Sequence, residues 1–189
     1  RSVALLDGGR RVTDIALLYP IHSLEAWHGF MPDRPDTGKD VPPENNYNTL
    51  SDWLTGELRQ DFTFVHPELL QGNLYSVHDG RLVLNTRQTR QEYRLLILPA
   101  GKVISAETLK RIKEFYDKGG RILATGQLPV QSAEFGRDTE ITALIGQIFG
   151  IDPTRPIPAK ETSAANKQGG RAIFVPAVTR ETLRTAIAR

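Results

Sequence analysis

Five short apolar runs recur along the chain: Ile15-Ala16-Leu17-Leu18-Tyr19, Phe62-Thr63-Phe64-Val65, Leu95-Leu96-Ile97-Leu98, Ile122-Leu123-Ala124 and Ala172-Ile173-Phe174-Val175. Each is too short for a buried helix, and their nearly continuous apolar character is what strands of a parallel sheet need when both faces are covered. Between them the apolar positions change to helical spacing. Residues 47–59 place Leu50, Trp53, Leu54 and Leu58 on one stripe. Ser105 stands where it can cap a helix carrying Leu109, Ile112, Phe115 and Tyr116, which Lys118-Gly119-Gly120 then stops. Further helices are predicted over residues 139–149 and from residue 179, and Pro67 after His66 starts a short one. Strand alternating with helix predicts an α/β fold, a flavodoxin-like three-layer sandwich with a mainly parallel sheet.

Three segments break the alternation. Residues 74–84 alternate around Asp79-Gly80 and predict a small inserted β-hairpin. Residues 152–170, with three prolines and Gly169-Gly170, predict an exposed connection. Residues 20–46 are rich in Pro, Gly, Asp and Asn, which argues against a helix, and at that length a loop is a functional element or a disordered one. Residues 1–9, with Val3, Leu5 and Leu6 before Gly8-Gly9, predict the end of a helix from a preceding domain or linker. Residues 10–189 are then expected to form one α/β domain.

Composition narrows the chemistry. The 24 basic residues are interleaved with 22 acidic ones along 189 positions, which argues against a nucleic-acid partner, and no apolar run approaches the length of a membrane span. With no cysteine there is no disulfide, no thiolate metal site and no cysteine nucleophile. The turn after Ile122-Leu123 offers Ala124 and Thr125, not the Ser or Cys of a nucleophile elbow. The four histidines lack metal-ligand spacing, and Gly119-Gly120 and Gly169-Gly170 precede strands instead of forming a phosphate loop. No cofactor and no metal are expected.

In open α/β sheets ligands gather beyond the carboxyl ends of the strands. That singles out residues 20–46, where His22, Trp27, His28, Phe30, Asn45 and Asn46 mix aromatic faces with hydrogen-bonding groups, as sugar and interface sites do. The same residues also fit a solvated loop whose aromatics tuck against the domain. A free-standing hydrolase acting through an acid and histidine pair there, or a sugar-binding module using Trp27 and Phe30, are the alternatives.

The stretch Asp61-Phe62-Thr63-Phe64-Val65 through Gly80-Arg81-Leu82-Val83-Leu84, then Tyr93-Arg94-Leu95-Leu96-Ile97-Leu98-Pro99 and Ser105-Ala106-Glu107-Thr108-Leu109, resembles the domain that follows the catalytic barrel in large bacterial glycoside hydrolases of the α-L-rhamnosidase kind. Lys118-Gly119-Gly120-Arg121-Ile122-Leu123 is similar to part of the trimerisation domain of certain β-galactosidases. Both are similar in fold to class I glutamine amidotransferases, from which this chain departs in lacking their cysteine. The resemblance implies a non-catalytic accessory domain, structural, assembly-related or supporting the active site, with the catalytic carboxylates elsewhere. It also implies other domains of the parent chain as partners, carbohydrate as ligand, a role in an oligomer, and a periplasmic or secreted location.

Overall fold

The computed structural model describes residues 12–28, 41–86 and 90–189. The expected helix end at residues 1–9 and the candidate Phe30 lie outside them. The central sheet has six strands: β1 (Ile15–Leu18), β2 (Phe62–Val65), β6 (Leu95–Leu98), β8 (Arg121–Thr125), β10 (Thr162–Ala165) and β11 (Arg171–Val175). They lie in the order β10-β11-β8-β6-β1-β2, parallel except for the antiparallel edge strand β10. Counted among the parallel strands alone the order is 2-1-3-4-5, the doubly wound arrangement whose direction reverses between the first and third strands.

Two apolar cores sit on opposite faces of this sheet because alternate residues of each strand point to alternate faces. On one face Ala16, Leu18, Leu96, Leu98, Ile122, Ala124 and Phe174 meet α4 (Ala106–Asp117) and α5 (Asp138–Phe149). On the other, Ile15, Leu17, Ile97, Leu123 and Val175 meet α2 (Tyr47–Asp52), which continues as a π-helical turn over Trp53–Glu57, and α6 (Arg180–Ala188). Trp53 packs against this second core, as its place on the helical stripe predicts.

Several elements depart from the sequence reading. Residues 21–27, read as loop, form helix α1 (Ile21–Trp27). The prolines that suggested otherwise lie at its start and beyond it; Pro20 sits at the N-cap, where its missing N–H costs nothing. The predicted hairpin is present as β3 (Tyr75–His78) and β4 (Arg81–Asn85) around left-handed Asp79 and Gly80, but β5 (Arg90–Tyr93) adds a third antiparallel strand. The expected connection 152–170 contains β10. β7 (Val103–Ile104) and β9 (Gln131–Ser132) form a further two-stranded parallel pair. The short helix after His66 is present as α3 (Pro67–Gln71). Among the described residues no helix is long and apolar enough to cross a membrane.

Ser105 occupies the N-cap of α4, yet its hydroxyl does not cap the helix. It donates to Glu134 Oε1 at 2.6 Å, and the other carboxylate oxygen of Glu134 accepts from the Ala106 N–H at 2.9 Å and from Ser132 Oγ at 2.5 Å. A carboxylate 28 residues away thus takes the capping role. Desolvation alone would raise its pKa, but the bonds from Ser105, Ser132 and the backbone amides of Ala106 and Glu134 overcome it and hold the carboxyl at about 2.

Candidate functional site

The carboxyl ends of β1, β6 and β8 converge where the strand order reverses, the usual ligand position in such sheets. A mainly apolar cleft lies there, lined by Leu18, His22, Pro67, Leu98, Ala124 and Leu128 among others. Its free volume is about 20 Å³, room for one water. Helix α1 contributes His22 and Ser23 to its wall. Ser23, buried on that helix, donates through Oγ to the Val103 carbonyl at 2.9 Å and accepts from the Val103 N–H at 3.0 Å. Gly101 permits the approach, since a Cβ there would stand 2.5 Å from Ser23 Oγ.

The turn after β8 has the backbone of an elbow without its chemistry. Thr125 is fully buried and ends the strand, and Gly126 follows at φ +67°. A Cβ at Gly126 would come within 2.8 Å of Ala100 Cβ, so this turn has no room for a nucleophilic side chain. The sequence reading placed Ala124 and Thr125 in the turn; both belong to the strand, and the glycine makes the bend.

Of the candidates read from the sequence, Asn46 is the most firmly held. Its Nδ2 donates to Thr125 Oγ1 at 3.0 Å and its Oδ1 accepts from the Ala100 N–H at 2.9 Å, tying the segment before α2 to the ends of β6 and β8. Glu44 adds an ion pair to Lys102 at 3.3 Å. Asn45 Oδ1 accepts from the Tyr47 N–H at 3.1 Å, while its Nδ2 is buried without a partner among the described residues. His22 lines the cleft, and its pKa is lowered by burial against the opposing pull of Glu25 and Glu134, so the imidazole is neutral at pH 7. Trp27, 46% exposed, and His28 project at the far end of α1. The structure therefore brings His22 and Asn46 to the carboxyl edge and leaves Trp27 and His28 on the surface.

An aromatic group beside this edge was missed in the sequence. Tyr19 meets Tyr47 edge to face at 5.6 Å and Phe64 at 6.0 Å, with Tyr47 and Phe64 at 6.3 Å and the His66 ring 6.1 Å from Tyr19. Phe64 stays 43% exposed on the edge strand β2. Its position in an apolar run reads as core. Only the strand order shows that β2 is an edge. Among the described residues no group of three or more His, Asp or Glu side chains is arranged to hold a metal ion.

No protein-family model and no curated protein sequence matches the chain. Among solved structures it is similar to Gan42B, a GH42 beta-galactosidase, with a TM-score of 0.54, 17% identity and 95% of this chain covered. It is also similar to a catalytic mutant of Gan42B from G. stearothermophilus, with a TM-score of 0.60, 17% identity and 98% covered. The chain spans only 29% and 30% of the length of those chains. At this identity the likeness is one of fold: the α/β architecture described above is shared with a segment of a glycoside hydrolase.

Proposed function

We propose that this chain is a non-catalytic accessory domain of a larger glycoside hydrolase, whose helix α1 and the segment leading to Asn46 form a contact surface toward the rest of the enzyme. The observation that carries the reading is the fold match, which takes in nearly all of this chain and less than a third of a β-galactosidase chain. The small volume at this edge supports it: the switch-point cleft holds about one water, and the elbow carries a glycine with no space for a nucleophile. General acid and base catalysis of glycoside hydrolysis needs two carboxyl groups about 5–10 Å apart around one substrate. Glu134, a half-buried carboxylate, is instead consumed in capping α4.

Replacing Trp27 and His28 together by alanine tests the contact surface. Both are exposed, so the isolated chain should lose about 1 kcal/mol or less of stability. The same double substitution in the full-length enzyme should lower activity or change its assembly state. Severe destabilisation of the isolated chain, or an unaffected full-length enzyme, contradicts the assignment. The exposed Phe64 beside Tyr19 and Tyr47 favours a second reading, a sugar-binding module, because a ring on a rigid strand can stack on a pyranose. That reading predicts saturable binding of galactose or rhamnose, lost in Phe64→Ala.

A further inference from the structure

A second concave site lies at the opposite end of the sheet, where the amino ends of β1 and β6 meet the small antiparallel sheet. Leu82 and Tyr93 point into the core, as do Tyr75 and Val77 of β3. By the two-residue period of a strand, Arg81, Arg90 and Glu92 then share the other face. Arg94 joins them as the single residue between β5 and β6, its N–H donating to the Asp14 carbonyl at 2.8 Å. Together with Val12, Thr13, Asp14 and Gln91, whose side chain turns to the other face to accept from the Tyr93 hydroxyl, these residues line a hollow of about 310 Å³. By the same measure the cleft at the carboxyl edge holds about 20 Å³. The hollow alone of the two reaches the roughly 300 Å³ at which small-molecule sites begin.

Its chemistry is directional. Three guanidinium groups face two carboxylates: Arg81 Nη1 lies 3.3 Å and Arg90 Nε 2.9 Å from Glu92, and Arg94 Nε lies 3.6 Å from Asp14. Each guanidinium carries five N–H donors in a planar fork, and each of these pairs engages one nitrogen of it. Glu92 sits between Arg81 and Arg90 and sets their spacing, while the charge around the hollow stays positive. Ion pairs this exposed contribute about 0–1 kcal/mol each, so the fold does not need three arginines here for stability. Recognition of a planar or tetrahedral oxyanion does use such forks, because two parallel N–H donors match two oxygens of one group.

We propose that the hollow formed by Arg81, Arg90 and Arg94 binds an oxyanion on a small ligand: the carboxylate of a uronic acid, the sulfate of a sulfated sugar, or free phosphate. The site is independent of the accessory-domain reading and stands or falls separately from it.

Isothermal titration of the chain with sodium glucuronate, galactose 6-sulfate, sodium sulfate and sodium phosphate, against sodium chloride at matched ionic strength, tests it. Saturable binding of at least one oxyanion is expected, and the ranking of the four identifies the source. The Arg90→Gln/Arg94→Gln variant should lose affinity by about tenfold or more, equivalent to about 1.4 kcal/mol. A control variant with the same charge change elsewhere, Arg155→Gln/Arg184→Gln, should bind as the parent does. Arg81→Lys, which keeps the charge and removes the fork, should also weaken binding while the melting temperature is unchanged, so the test survives a poorly folding double variant. No saturable binding by any of the four, equal binding by the arginine variants, or equal weakening in the control overturns the proposal.

Discussion

Asn46 shows how a single side chain joins segments that the sequence keeps apart. Its amide bridges Ala100, 54 residues on, and Thr125, 79 residues on, and both partners are fully buried. Asn46→Ala should therefore cost about 1–3 kcal/mol, because it leaves a buried N–H and a buried hydroxyl short of a partner. Chemical denaturation of the two proteins checks this, and a loss within a few tenths of a kcal/mol would place those groups in contact with solvent. The residue was legible as a candidate from its polar company in residues 20–46. Its role was not, since nothing local to Asn46 identifies partners so distant in sequence. Phe64 illustrates the converse: the apolar run that correctly predicts β2 hides that the strand lies at the edge and leaves this ring exposed.

At the scale of elements, local signals succeeded where local forces decide. Thr179 caps α6 in a box with Thr182, accepting from the Thr182 N–H at 3.2 Å, as its position before the helical stripe predicts. The five parallel strands were legible because burial on both faces demands apolar residues throughout. α1, β5 and β10 were not legible, because tertiary contacts determine them. α1 is seven residues long with no side-chain cap, and Ser23 holds it by paired bonds to Val103. The cap of α4 is likewise tertiary and makes stability depend on pH. Glu134 is depressed from 4.5 to about 2 in the folded protein, so its contribution is fully present above about pH 4.5 and is lost as pH falls toward 2. Glu134→Gln should melt below the parent at pH 7, with the gap closing as pH is lowered toward 2. Melting curves across that range check the sign, and a gap independent of pH would show that the charge of Glu134 does not support the helix.

For the whole molecule, the three-layer plan follows from strands that are apolar on both faces and helices that are apolar on one, and the two opposed cores bear it out. Function is less legible at this scale, because the same doubly wound frame serves many chemistries and the site decides among them. Here the cleft at the usual ligand position has room for about one water, and the bend that could present a nucleophile carries Gly126 packed against Ala100. The central claim, that the chain supports a glycoside hydrolase without a catalytic centre of its own, is tested most directly by assaying the purified chain on aryl glycosides of galactose, rhamnose and glucose. The account predicts no turnover above the buffer rate; turnover abolished by substitution of a single acidic residue of this chain would contradict it.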